Sequence, residues 1–259
     1  NDVYGNCVWA GAAHEHQVWT VAGGWDRARF TISNTLSDYA AVTGFDKTKP
    51  DTDNGTDMQA AASYRRKVGV IDSSGVRHRI DAYVALEVGD LDQLVLAMWL
   101  FGAVGVGVQM PRQAMDQFDA GLPWTVPHKP KIDGGHYIPG VGRDAAGNIQ
   151  FISWGKLHAM TPEFYERFND ETVAYVSLDY LNASKLSPEG FDADGLRLAA
   201  VAEGKPLAQM IQPKQHPPID PVVYDTSAVR YDWEQVTGLQ DAARSSVVSP
   251  RPRPKPASC

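Results

Sequence analysis

The chain has 259 residues, of which 43% are hydrophobic, enough for a packed core in one large domain or in a catalytic domain with an appendage. Twenty-four basic and 31 acidic residues give a formal net charge of −7, so we expect no nucleic-acid partner. The longest apolar stretch, 94–108, is interrupted by glycines and is short for a bilayer span, which predicts a soluble protein without a membrane segment. Two cysteines exclude the disulfide framework of a small secreted domain.

Helix signals dominate the first hundred residues. A helix is predicted from Cys7 to about Thr20, after a tight turn, and a short one over 37–42. The polar stretch 46–55 follows as a loop. Capping-box patterns at 56–59 and 90–93 then predict helices that reach about Lys67 and Phe101.

Strand signals dominate the part that follows. Alternating valines predict a strand over 104–108. The proline-containing segment 112–133 is predicted to be a long surface loop that flanks the candidate catalytic site. The remaining predictions are a hairpin of strands 137–142 and 149–155, with His136 at the head of its first strand, a helix over 161–168 and a strand over 172–178. The sequence therefore predicts an α+β fold in which N-terminal helices pack against a C-terminal antiparallel sheet.

The composition changes near residue 187. One more helix is predicted over 191–202, and the proline-rich segments 213–221 and 247–259 then indicate an extended arm and tail. We therefore predict a domain over 1–186 and a C-terminal extension over 187–259. The chain begins at Asn1 rather than at methionine, and we expect that an upstream piece was removed or left out.

Cys7 and His136 are the candidate catalytic residues. A thiol is a weak nucleophile at neutral pH because its free pKa lies near about 8.5, and both a helix N-terminus and a neighbouring imidazolium favour the thiolate. Cys7 is predicted to lie in the first turn of a helix, and a distant histidine is what a thiolate requires as its base. The alternative is that Cys7 is a small buried hydrophobic residue.

The order of these motifs resembles that of the papain-like cysteine peptidases. Cys7 opens the first helix and is closely followed by Trp9, Gly135-His136 lies about 130 positions downstream, and Ser153-Trp154-Gly155 follows. Gly5-Asn6-Cys7, Gly134-Gly135-His136, Trp154-Gly155 and Met160-Thr161 are similar to the motifs of divergent papain-like proteins of phages and prophages. The resemblance covers about residues 1–178.

The resemblance implies a role for each anchor residue. Cys7 attacks a carbonyl carbon, and His136 takes its proton and later returns one to the leaving group. The backbone N–H of Cys7 and the side-chain amide of Asn1 hold the oxyanion. Trp154 shields the histidine from solvent. Residues that line the substrate groove are Asn54, Gly55, Gly134 and Gly135.

One position departs from the papain-like pattern. The family places an asparagine directly before Ser-Trp-Gly to orient the histidine, and Ile152 stands there in this chain. An isoleucine side chain makes no hydrogen bond, so the expected triad is reduced to a Cys–His dyad. Orientation of His136 then falls to Gln150, to Asn148, to a backbone carbonyl or to no group at all.

The remaining histidines receive a different interpretation. His14, Glu15 and His16 resemble a metal-binding run, but side chains two apart on a helix point in different directions, and the sequence offers no evident third ligand. A solvated helix face is the preferred interpretation, and His78 reads as an isolated residue. We expect no metal and no cofactor.

Two functions follow from these observations. The first is a thiol hydrolase that cleaves peptide or amide bonds in a peptide or protein substrate; an acyl transferase or a deamidase would need the same residues. The second is a structural component of a phage particle, on a papain-like fold with weak or no catalysis, because Ile152 replaces the orienting asparagine and the long arm is not expected to bury itself. That arm would contact a second copy of the chain or other virion proteins.

Overall fold

The computed structural model describes residues 3–203. Within that range the chain forms seven α-helices and eight β-strands. The helices are α1 (Cys7–Ala22), α2 (Ile32–Thr43), α3 (Met58–Lys67), α4 (Leu91–Phe101), α5 (Arg112–Asp119), α6 (Pro162–Phe168) and α7 (Ala193–Glu203). Short 3-10 turns lie at Pro50–Thr52 and Leu178–Tyr180.

The strands form two antiparallel sheets. The strands are β1 (Val70–Ile71), β2 (Arg77–His78), β3 (Ile80–Ala85), β4 (Val104–Pro111), β5 (Ile132–Arg143), β6 (Ile149–Ser153), β7 (Lys156–Met160) and β8 (Asn169–Ser177). β1 and β2 form a small hairpin, and the other six strands form one sheet in the order β3-β8-β4-β5-β6-β7. The α+β architecture, with its helices N-terminal and its sheet C-terminal, confirms the predicted fold class.

Side-chain caps explain where the helices begin. The carboxylate of Asp57 accepts the Ala60 N–H at the start of α3, and Asp90 and Thr161 accept equivalent bonds at the starts of α4 and α6. The helix predicted over 37–42 is longer than expected, since α2 begins at Ile32 behind a capping box formed by Thr31.

Several predicted elements need correction. The segment 112–133 is not a continuous loop, because α5 occupies its first part and Trp124 is fully buried. His136 lies inside β5 rather than at the head of a strand. The predicted strand 149–155 ends at Ser153, where a tight turn leads into β7. β3 and β7 have no counterpart among the predicted elements.

The C-terminal helix packs on the sheet. Leu196 and Ala200 of α7 are buried in the same core as the strands, and Arg197 forms an ion pair with Asp81 of β3. The described part of the predicted extension, 187–203, therefore packs against the rest of the fold. The proline-rich arm and tail fall outside the described residues, and the boundary at residue 186 stays a prediction.

The longest apolar stretch of the sequence divides between α4 and β4, both of which contribute to the core. Among residues 3–203, no helix is long and apolar enough to cross a membrane.

Candidate active site

Cys7 occupies the first position of α1. Asn6 precedes it as the N-terminal cap residue, and its carbonyl accepts the N–H groups of Trp9 and Ala10. The N–H groups of a first helical turn and the helix dipole both favour negative charge at this end. Cys7 is 1% exposed, so its sulfur is largely protected from solvent at the end of the helix where the dipole is positive.

Strand β5 brings the histidine to the same place. The Tyr137 N–H donates to the Sγ atom of Cys7 at 3.4 Å, and His136 is the preceding residue of the strand. A hydrogen bond from a backbone N–H favours the charged form of a sulfur acceptor. Residues separated by most of the domain in sequence are thus adjacent in the fold.

Two glycines make room for the Tyr137 ring between α1 and the sheet. A Cβ atom added at Gly11 would lie 2.3 Å from the Tyr137 ring, and one added at Gly105 of β4 would lie 2.2 Å from its hydroxyl oxygen. The ring is therefore wedged between helix and strand. This close approach sets the distance between the helix that carries Cys7 and the strand that carries His136.

The His136 ring contacts two residues of the β6–β7 hairpin. Its Nε2 atom lies 2.8 Å from the Ser153 hydroxyl oxygen, and its plane stacks on the Trp154 ring at 4.5 Å with an angle of 9°. Trp154 has a φ of 45° and Gly155 a φ of 71°. These left-handed values are those of a two-residue hairpin turn that matches the twist of the strands. The turn holds the indole against the imidazole.

Burial controls the protonation of His136. The residue is 8% exposed, and desolvation lowers the pKa of its imidazole to about 3. At neutral pH the ring is therefore uncharged in this structure, and one of its two nitrogens carries a lone pair that can accept a proton. A neutral imidazole has the protonation state of a general base.

Ser153 is the residue that the sequence reasoning missed. Ile152 is buried and makes no side-chain hydrogen bond, and the next residue presents its hydroxyl to His136. The side chain of Asn148 donates to Asp144 within the β5–β6 connection, and Gln150 lines a shallow pocket with His158. The available signal was that serine is the only side chain in Ile-Ser-Trp-Gly that can accept a hydrogen bond.

The expected groove segment is hydrogen-bonded to α1 and to the turn that precedes it. The Asp53 carboxylate accepts the Gly5 N–H at 2.9 Å, and the Thr56 hydroxyl accepts the indole N–H of Trp9 at 3.0 Å. Between these two anchors lie Asn54 and Gly55. Thr56 thus bonds to α1, and the adjacent Asp57 caps α3.

The other expected groove residues lie on β5. Gly134 and Gly135 pair with Met110 and Gln109 of β4, directly before His136. Asn1, the expected oxyanion residue, lies outside the described residues. The structure therefore brings together, around Cys7 and His136, both groove segments and Trp154.

A second buried polar cluster lies farther along α1. Glu15 and Arg65 are fully buried, with an N–O distance of 2.5 Å, and the Tyr137 hydroxyl also donates to Glu15. Arg65 lies 4.2 Å from the centroid of the Tyr175 ring. Burial raises the pKa of Glu15, and the charge of Arg65 opposes that rise. The solvated helix face predicted around Glu15 and His16 is wrong, because neither residue is exposed.

Comparison with solved structures finds proteins of similar fold. Xylellain, a cysteine protease from Xylella fastidiosa, superposes with a TM-score of 0.54 and 15% identity over 67% of this chain and 80% of that one. The Carica candamarcensis cysteine protease CMS1MS2, in complex with E-64, gives 0.47 and 10% over 67% and 89%. Digestive procathepsin L 3 of Tenebrio molitor larval midgut gives 0.45 and 18% over 66% and 63%. No protein-family model and no curated protein sequence matches the chain.

These likenesses define the class of fold. The mixed helical and antiparallel architecture is that of the papain-like cysteine proteases, and the likeness to xylellain carries this conclusion. At 15% identity the likeness shows the fold alone. Activity has to be argued from the residues of the site.

Proposed function

We propose that the chain is a papain-like cysteine peptidase in which Cys7 is the nucleophile and His136 the general base. The observation that carries this proposal is the junction of α1 and β5. There the Cys7 sulfur lies at a helix N-terminus, 3.4 Å from the backbone nitrogen that follows His136. A nucleophile, its base and a source of positive potential thus meet in one buried place.

The proposed reaction begins with proton transfer. His136 takes the proton of Cys7 as the sulfur attacks the carbonyl carbon of a peptide bond, and a carbon–sulfur bond forms. The imidazolium then gives that proton to the leaving amine, which leaves an acyl-enzyme. Water, deprotonated by His136, attacks the acyl carbon and releases the carboxylic acid and the thiol. The first-turn N–H of Cys7 faces the developing oxyanion.

Ser153 is proposed as the positioning residue for His136. A hydroxyl that accepts the Nε2 proton leaves Nδ1 free to act as the base. An asparagine oxygen or a carboxylate can only accept, whereas a hydroxyl can also donate, so Ser153 selects the productive tautomer less strictly. Stacking of Trp154 on the ring supplies the remaining restraint.

The fold supports peptides or proteins as the substrate class. We place an extended peptide along the segments that flank Cys7, namely Asn54-Gly55 on one side and Gly134-Gly135 on the other. Asn1 remains the proposed second oxyanion donor. The virion context, the phage relationship and the partners of the C-terminal arm stay predictions of the sequence.

Cleavage of a diverse peptide library, read by mass spectrometry under reducing conditions, tests this function. We expect cleavage by the parent chain, and a loss of at least about a thousandfold in Cys7→Ala and His136→Ala, because removing a nucleophile or its base leaves only binding effects. His128→Ala, which changes an exposed histidine, is the matched control and keeps full activity. Cleavage that persists in Cys7→Ala would contradict the proposal.

A further inference from the structure

A cluster of two histidines and an aspartate lies away from the candidate active site. His16 comes from α1, His78 from β2, and Asp179 from the 3-10 turn that follows β8. Along the α1 axis His16 lies about 13 Å from Cys7. The cluster therefore joins a helix, the small hairpin and the end of the large sheet, and it is separate from the groove.

The donor atoms of the cluster converge on one point. The Nδ1 atoms of His16 and His78 lie 3.0 and 2.8 Å from the same oxygen of Asp179. One donor atom from each of the three residues lies within 4.8 Å of the others. A tetrahedral ion with bonds of about 2.1 Å holds its ligand atoms about 3.4 Å apart. The two His–Asp distances are each about half an ångström shorter than this spacing, and the donor atoms of His16 and His78 are at most 4.8 Å apart.

A second carboxylate stands behind His78. The other ring nitrogen of His78, Nε2, lies 3.4 Å from one oxygen of Asp72. The second oxygen of Asp72 accepts three hydrogen bonds, from the N–H and hydroxyl of Ser74 and from the N–H of Val76. Asp72 is therefore held in place by its own turn with one oxygen directed at the histidine. Carboxylates in this position behind a ligating histidine are the usual outer partners of zinc sites.

A neutral His78 ring cannot donate a hydrogen bond to both of the carboxylates that it contacts. A neutral imidazole has one N–H and one lone pair, yet both nitrogens of His78 face carboxylate oxygens. Either a proton or a metal ion bound at Nδ1 would remove the conflict, and with a metal ion the Nε2 proton would donate to Asp72. His16 is fully buried, so its ring is fixed in position by the surrounding core.

We propose that His16, His78 and Asp179 form a binding site for a divalent transition-metal ion, with Zn²⁺ as the best fit. Two imidazoles and one carboxylate are a borderline donor set that suits Zn²⁺ and Co²⁺ and does not suit Ca²⁺ or Mg²⁺, which prefer oxygen ligands. The side chain of Asp179 is 28% exposed, so an ion can enter and keep a water as its fourth ligand. Bound there, the ion would join α1 to the β1–β2 hairpin and to the end of β8.

The first measurement uses full-length chain carrying Cys7→Ser and Cys259→Ser, so that no thiolate competes for metal. After dialysis against a chelator, CoCl₂ is titrated in, followed by ZnCl₂. We expect about one equivalent of Co²⁺ to bind with the visible absorption of a tetrahedral N/O site, and Zn²⁺ to displace it. Saturating Zn²⁺ should raise Tm by at least about 3 °C, and Mg²⁺ should leave it unchanged.

Variants locate the ion. His78→Gln and Asp179→Asn should lose the cobalt spectrum and the Tm shift, while His128→Gln retains both. Asp72→Asn should bind at least about tenfold more weakly, because it removes the outer partner of His78. Histidine side-chain ¹⁵N shifts in the chain with all three ligands intact give an independent test, and Zn²⁺ should move the Nδ1 signals of His16 and His78.

Two results would overturn the site. The first is a folded chain that takes up no Co²⁺ and shows no change in its histidine ¹⁵N shifts with Zn²⁺. The second is equal binding by His78→Gln and His128→Gln. Neither result would affect the proposed peptidase, because Cys7 is absent from the protein in this experiment.

Discussion

Helix α1 carries two buried polar centres that balance charge in different ways. At its N-terminus, Cys7 accepts a hydrogen bond from the Tyr137 N–H, next in sequence to a neutral His136, and the helix dipole favours negative charge there. Farther along, Glu15 and Arg65 form a buried ion pair, and the Tyr137 hydroxyl donates a further hydrogen bond to Glu15. The arrangement around Cys7 is suited to proton transfer, and the ion pair of Glu15 and Arg65 is suited to holding α1 in place. Tyr137 belongs to both, through its backbone and through its side chain.

The largest effect is expected at the buried ion pair. Arg65→Ala should lower the free energy of unfolding by about 3–5 kcal/mol, because it leaves Glu15 buried without its counter-charge. Denaturant unfolding measures this loss. The double variant Glu15→Gln with Arg65→Met removes both charges and should lose clearly less than the sum of its single variants. A double variant that loses the full sum of its two single variants would mean that Glu15 and Arg65 do not stabilise each other.

A smaller effect on both centres is expected from Gly11→Ala. The added methyl group meets the Tyr137 ring at 2.3 Å and must displace it from α1 or displace the helix. We expect a loss of about 1–3 kcal/mol in unfolding free energy, together with slower reaction of Cys7 with alkylating agents.

The matched control is Gly142→Ala on the same strand as Tyr137, where the nearest atom, in the Gln150 side chain, is 4.0 Å away. Gly142→Ala should change the unfolding free energy and the alkylation rate of Cys7 by much less than Gly11→Ala does. If Gly11→Ala lowers stability and leaves Cys7 reactivity unchanged, the two centres are not joined through Tyr137.

The smallest effect is expected at Ser153, which tests the orientation of His136. Ser153→Ala should lower kcat about tenfold with little change in KM, because loss of one buried hydrogen bond costs about 1–2 kcal/mol. The pH profile of kcat/KM should also shift, since the hydroxyl contacts a titrating nitrogen.

Ser153→Thr retains the hydroxyl and should restore most of the rate and the parent pH profile. A fall in stability without a change in the pH profile would assign Ser153 a purely structural role.

The sequence predicted the fold well where local signals decide. Asp90 and Thr161 cap α4 and α6 where the pattern indicates, whereas α3 begins one residue later than predicted because Asp57 rather than Thr56 is its cap. β3 and β7 were missed, since their side chains are only partly buried and show no clear alternation. α5 was missed because nearby prolines masked an eight-residue helix.

The site was predictable to the extent that it depends on motifs. The order of Cys7, His136 and Trp154 along the chain predicted that they would lie close together, and in the structure β5 contacts Cys7 and Trp154 stacks on His136. Ser153 was not found, since nothing in the neighbouring sequence shows that this last residue of β6 directs its hydroxyl toward His136. His16, His78 and Asp179 were not connected because their proximity depends on the packing of three elements distant in sequence.

The most direct test of the central claim is the rate at which iodoacetamide alkylates Cys7 in the folded, reduced protein, with Cys259 replaced by serine. The rate is followed across pH in that chain and in the same chain with His136→Ala. The account predicts that Cys7 reacts at neutral pH at least about tenfold faster than a simple thiol, and that His136→Ala removes most of this advantage. A slow reaction that is the same with and without His136 would contradict the account and leave a papain-like fold without a working nucleophile.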